Sequence, residues 1–140
     1  RLDALQAGIL DVKLAHLDEW NNRRREIAAY YDECLSTIAG IQTPMSPDFA
    51  HHVYHLYVIL IDKRDLVQQQ LQDLGISTGL HYPIPVHLQE AFNDQGYKPG
   101  DLPITERVAN TLLSLPMFPH MSDSQVEYVV TKLRQIRQSM

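Results

Sequence analysis

The stretch best suited to hold a ligand is Gly79-Leu80-His81-Tyr82-Pro83-Ile84-Pro85-Val86-His87. Each proline fixes its own φ and biases the preceding residue towards extended backbone. Two prolines spaced by one therefore make a stiff loop. Such a loop can hold His81 and Tyr82 at a fixed place where a strand ends. An imidazole and a phenol so placed suit an anionic or hydroxyl-rich ligand. Composition alone also allows a plainer reading, in which the loop is packing and both side chains are satisfied, half-buried groups.

The other chemistry-bearing clusters point to less. His51, His52 and His55 stand at the start of a β-branched and aromatic run. On a strand His51 and His55 would share a face and His52 would point away, which is poor geometry for one metal. A strand-edge or partner-contact role suits them better. Arg23-Arg24-Arg25 would fan around a helix among Glu19, Glu26, Asp32 and Glu33, so a solvated face with local ion pairs is expected. Cys34 lies among Tyr30, Tyr31 and Leu35 and reads as a packing residue. There is no glycine-rich phosphate loop, no Gly-x-Ser-x-Gly and no paired zinc-ligand motif. The four lysines, Lys13, Lys63, Lys98 and Lys132, complete the stock of amines.

Elements that could position these residues follow from the periodicity. Leu2, Leu5, Ile9, Val12, Leu17 and Trp20, then Ile27, Tyr31, Leu35 and Ile38, predict helix over residues 2–38. A helix of that length spans roughly 55 Å and wants a kink, for which Asn21-Asn22 is the candidate, or a second surface. A strand is expected over His52–Ile61, central in a sheet because its end is apolar on both faces. Asp62 would cap a helix from Lys63 to Leu74, with Leu66, Val67, Leu71 and Leu74 inward and Gly75 as its stop. Ile76–Leu80 reads as a short strand, and residues 88–93 as one helical turn. Pro103 suits the first turn of a helix to about Leu113. Ser122 with Gln125 makes a capping box for a last helix buried through Val126, Val129, Val130, Leu133 and Ile136. The order predicts an α+β fold (α/β overall): a small mixed or antiparallel sheet covered by helices, with a long N-terminal helix.

Length and charge bound the function. At 140 residues the chain has one domain's worth of sequence, and its first residue, Arg1, falls inside a helical pattern, which suggests a piece of something larger. A net charge of −5 argues against a dedicated nucleic-acid binder. No apolar run approaches the roughly 18 residues of a membrane helix. One cysteine fits a reducing compartment, so a cytoplasmic location is expected.

Five separated stretches then fit one family. Arg1-Leu2-Asp3-Ala4-Leu5-Gln6-Ala7 resembles the Asn-x-Arg-(Leu/Met)-x-x-x-Gln-Ala segment of the DegT/StrS-type nucleotide-sugar aminotransferases. Leu17-Asp18-Glu19-Trp20-Asn21, with Arg23 to Arg25 and Tyr30-Tyr31, resembles the helix that follows. His52-Val53-Tyr54-His55 is similar to the family's His-x-Tyr-His strand. Gly79 to His87 resembles its Gly-x-His-Tyr-Pro-x-Pro-x-His loop. Ser114-Leu115-Pro116-Met117-Phe118-Pro119 is similar to its Leu-Pro-(Met/Leu)-(Phe/Tyr)-Pro turn. They occur in family order across the whole chain.

The resemblance implies the C-terminal domain of a fold-type-I, pyridoxal-phosphate-dependent aminotransferase. Residues 1–38 would link to a preceding large domain, and 39–140 would be the small domain. The Schiff-base lysine would lie upstream, so this chain would hold no catalytic residue, bind no cofactor alone and be inactive. The intact protein would move an amino group, from glutamate as the expected donor, onto a nucleotide-linked keto-sugar in polysaccharide or antibiotic sugar synthesis. Arg1 matches an arginine that reaches the neighbouring subunit's active site, so a homodimer is implied. His81 and Tyr82 match residues lining the sugar-nucleotide pocket, and His87 one that holds the loop. The rival is a non-catalytic regulatory or dimerisation module on the same scaffold.

Overall fold

The apolar stripe through the first 38 residues does not build one helix. The computed structural model, which describes residues 3–140, divides it into α1 (Ala4–Leu14) and α2 (Leu17–Leu35), parted at Ala15-His16. Asn21 and Asn22, the expected kink, sit inside α2. Their side-chain oxygens accept from Arg24 and Arg25 one turn on, at 3.3 and 2.7 Å. The break was hidden because Ala15 and His16 are neither Gly nor Pro, the residues that mark a helix end in a sequence. His16 stacks on Trp20 at the joint, ring centroids 5.5 Å apart.

Beyond α2 come β1 (Ile41–Gln42), β2 (Tyr57–Ile61), α3 (Arg64–Asp73), two 3-10 turns (Val86–Leu88 and Glu90–Gln95), α4 (Pro103–Thr111), β3 (Leu112–Leu115) and α5 (Asp123–Gln138). The sheet is antiparallel with β2 central, as expected of its apolar run. Register pairs Ile41 with Ile61, Ile59 with Leu113 and Tyr57 with Leu115. Period-two alternation puts Tyr57, Ile59 and Ile61 on one face with Leu113 and Leu115. That face shares one core with Ile27, Tyr31 and Leu35 of α2, Val67 and Leu71 of α3, and the five predicted α5 residues. The capping box at Ser122 forms as the sequence requires. The architecture is the expected α+β one.

Several expectations are corrected. The strand begins at Tyr57, not His52. Tyr54 takes a left-handed φ of 47° and its N–H donates to Nδ1 of His52 at 2.9 Å, which turns the chain before the strand. His51, His52 and His55 therefore lie in irregular backbone, where strand alternation does not apply. Leu112 leaves the helix with ψ 139°, so Leu112–Leu115 is an edge strand and not the end of α4. Arg64 makes that exit possible: its buried guanidinium donates to the carbonyls of Ala109 and Leu112 at 3.2 and 3.3 Å, satisfying groups the ending helix leaves open. Lys63, not Asp62, stands before α3, and Leu66 and Leu74 are exposed while Val67 and Leu71 are buried. Of the expected strand over 76–80, only Gly79 pairs, bridging to Ser114.

Candidate functional site

The proline loop is pinned at both ends. At its start Gly79 and Ser114 exchange backbone hydrogen bonds, Gly79 N–H to Ser114 C=O at 3.0 Å and the reverse at 2.8 Å. The Ser114 hydroxyl also meets Nδ1 of His81 at 2.9 Å. At its end His87 is buried, and its Nε2 lies 3.1 Å from Oε1 of Glu106 on α4. Glu106 also accepts the N–H groups of Gly100 at 2.9 Å and Leu102 at 3.3 Å. The Gly100 N–H first, then the His87 imidazole and the Leu102 N–H, hold its carboxyl below the usual carboxylate range, against an opposing push from burial. The ring of Tyr97 stands edge-on to His87, centroids 5.9 Å apart.

Between these anchors the loop turns its side chains outward. Tyr82 is 74% exposed, and Ile84 and Val86 are also open. The rings of His81 and Tyr82 stand edge-on, centroids 5.7 Å apart. An imidazole and a phenol side by side on a tethered loop offer two hydrogen-bonding tips and little else. They can bind and orient a polar ligand; the hydroxyl beside His81, that of Ser114, is buried and serves to hold the ring. Arg1, the third expected contact, lies outside the described residues.

Sequence reasoning missed Ser114 and Glu106 as the groups that hold the loop. Ser114 had a signal: a hydroxyl within Leu-Leu-Ser-Leu must find a partner once buried. Glu106 had none, because an acid in a helix's first turn is ordinary.

The remaining clusters are structural. Arg23 reaches across to α5, donating to Asp123 at 2.5 Å and to the Met121 carbonyl at 3.0 Å, as well as to Glu26 within its helix. The Asp123 and Glu26 bonds raise its pKa further above neutrality. The arginine run is thus partly an inter-helix tie and not only a solvated face. Cys34 packs against the core. Among the described residues no three His, Cys, Asp or Glu side chains are arranged to hold a metal.

A cofactor held as an imine needs a lysine. Lys132 lies over the Tyr128 ring, 5.3 Å from its centroid, Lys13 lines a groove between α1 and α2, Lys63 precedes α3, and Lys98 belongs to the turn closed by Asp101. None is carried by the His81 loop or by β3.

Residues 1–134 match the DegT/DnrJ/EryC1/StrS aminotransferase family. The chain is 47% identical over 135 residues to a pleiotropic regulatory protein of Geobacillus stearothermophilus, covering 95% of this chain and 36% of that protein. It is 39% identical over 135 residues to the dTDP-3-amino-3,4,6-trideoxy-alpha-D-glucose transaminase of Streptomyces venezuelae, covering 96% of this chain and 36% of the relative. The fold matches the crystal structure of S. venezuelae DesV with a TM-score of 0.95 at 38% identity, over 99% of this chain and 37% of that one. The chain spans little more than one third of the length of the relatives it matches.

Proposed function

The chain belongs to the DegT/DnrJ/EryC1/StrS aminotransferase family, and we propose that it is the substrate-binding small domain of an enzyme that aminates a keto-sugar carried on a nucleotide. The observation that carries this reading is the doubly anchored loop with His81 and Tyr82 turned outward, in a chain 39% identical to a nucleotide-sugar transaminase. His81 and Tyr82 hydrogen-bond sugar hydroxyls or phosphate oxygens and orient the substrate. Arg1 pairs with a phosphate or carboxylate of the substrate at the neighbouring subunit's site.

Pyridoxal phosphate, implied by the family, supplies the electron sink for the intact protein. The lysine that holds it comes from polypeptide outside these 140 residues, so the chain alone is inactive. The amino donor is an amino acid, glutamate in this reading. Helix α1 links the rest of the polypeptide to the small domain, which takes in α2 through Ile27, Tyr31 and Leu35 together with residues 39–140. The uncovered apolar face of α1 contributes to a homodimer. No described helix is long and apolar enough to cross a membrane, and the reading places the enzyme in the cytoplasm.

In the full-length enzyme His81→Ala should raise KM for the nucleotide sugar and leave the cofactor's absorbance unchanged. Loss of that absorbance with unchanged KM would overturn the role given to His81. A second reading, a regulator on the same scaffold, is favoured by the 47% identity to a protein named for regulation. A yellow, borohydride-sensitive full-length protein that turns over sugar nucleotide supports the enzyme; a colourless one supports the regulator.

A further inference from the structure

We propose that Ser114 is a positioning residue that fixes the tautomer of His81, so that His81 meets the substrate as a neutral Nε2–H donor. For its substrate arm the inference rests on the reading above; for the tautomer it rests on geometry alone.

Ser114 is only 4% exposed and is flanked on β3 by the buried Leu113 and Leu115. Its backbone is fixed by β2, opposite Val58, and by the double bond to Gly79. The Ser114 backbone is therefore held in place beside the His81 ring. Among the described residues its sole hydrogen-bond partner is Nδ1 of His81, at 2.9 Å. One bond joins two groups that could each be the donor. If Nδ1 carried the proton, the serine oxygen would accept, and its own proton would be buried without an acceptor, which is costly. If the hydroxyl donates, both groups are satisfied. The ring proton then sits on Nε2, which has no partner within the described residues.

Gly79 completes the arrangement. A Cβ built there would lie 2.5 Å from Cε1 of His81 and 3.2 Å from Nδ1. Its φ is not in the left-handed region, so the glycine is needed for close approach and not for backbone freedom. The ring lies down on Gly79 and is tied by Ser114. A neutral N–H donor held this way selects an acceptor oxygen on the nucleotide sugar, whether hydroxyl, carbonyl or phosphate, and does not depend on a charged imidazole.

The test uses full-length protein labelled with 15N-histidine, at about pH 8, where an ordinary imidazole is neutral. His81→Ala identifies the His81 signals. The expected wild-type spectrum shows Nδ1 unprotonated and Nε2 protonated. Ser114→Ala should move both nitrogens towards averaged values and raise KM for the nucleotide sugar about five-fold, the worth of one hydrogen bond, with kcat little changed. Ser114→Thr, which keeps the hydroxyl, should restore both readouts. A protonated Nδ1 in the wild type overturns the inference, and that spectrum needs no variant to fold. Unmoved His81 signals in Ser114→Ala overturn it as well. A shifted tautomer with unchanged KM overturns only the substrate role of His81 and leaves the tautomer lock standing.

Discussion

Helices α1 and α5 carry apolar residues at similar spacing and meet opposite fates. On α5, Val126, Val129, Val130, Leu133 and Ile136 are all buried. On α1 no residue is buried, and Leu5, Ile9, Leu10, Val12 and Leu14 each expose more than half their surface. The difference lies in what the chain supplies: α2 and α3 pack on α5, and among the described residues nothing buries α1. Periodicity reports that a face wants a partner and not whether this polypeptide provides one. The largest effect expected from that contrast is on stability. Leu133→Ala should cost about 2–5 kcal/mol in denaturant unfolding of the 140-residue chain, because it leaves a cavity in the core. Ile9→Ala should change it by less than about 0.5 kcal/mol. Equal losses would mean that α1 is covered in solution.

The same contrast shows what could be read from the sequence. α5 was legible to its last buried position because two signals agree there: capping box and stripe. β2 was legible as a central strand because Tyr57, Val58, Ile59 and Ile61 are β-branched or aromatic and the run is apolar on both faces. β3 was not, because Leu112-Leu113-Ser114-Leu115 continues an α4 pattern without Gly or Pro, and a four-residue apolar run has no distinctive period. What ends α4 is Arg64, 45 residues away from Ala109 in sequence. Likewise His81 and Tyr82 were legible as a candidate site through the prolines around them. The groups that hold that loop, Ser114 and Glu106, lie 33 and 19 residues from their histidines, and no local pattern announces such a pairing.

A mid-sized effect sharpens the comparison at the helix ends. Asp3 caps α1, accepting from the N–H groups of Leu5 at 2.9 Å and Gln6 at 3.3 Å. Ser122 caps α5 and Gln125 returns the bond, at 3.3 and 2.9 Å. The two caps are chemically alike, but only one helix belongs to the core. Ser122→Ala should lower global stability by about 1 kcal/mol. Asp3→Ala should leave the global midpoint in place and reduce only the helical circular-dichroism signal before the transition. A midpoint shift as large as that of Ser122→Ala would make α1 part of the cooperative unit.

Helix α4 stands between the two extremes, and it carries the smallest expected effect. It buries only Ala109, yet it is held, by Arg64 at its C-terminal end and by Glu106 in its first turn. Polar pins there replace the apolar cover that α1 lacks. The Glu106 pin has a sign that pH can read. Its carboxyl titrates below the ordinary range, near 4.3 for a free glutamate. A group depressed in the folded state adds stability above its unfolded pKa and loses it as pH falls through the folded value. Protonation removes the charge on which the Gly100 and Leu102 N–H groups and His87 converge, and the turn over 97–102 loosens with the end of the proline loop. The stability gap between wild type and Glu106→Gln should therefore be constant near neutrality and shrink below about pH 4. Protection of the Gly100 and Leu102 amides, measured against their intrinsic exchange rate at each pH, should fall over the same range while α5 amides stay protected. A gap that widens on acidification would show that burial, not the N–H donors, governs Glu106.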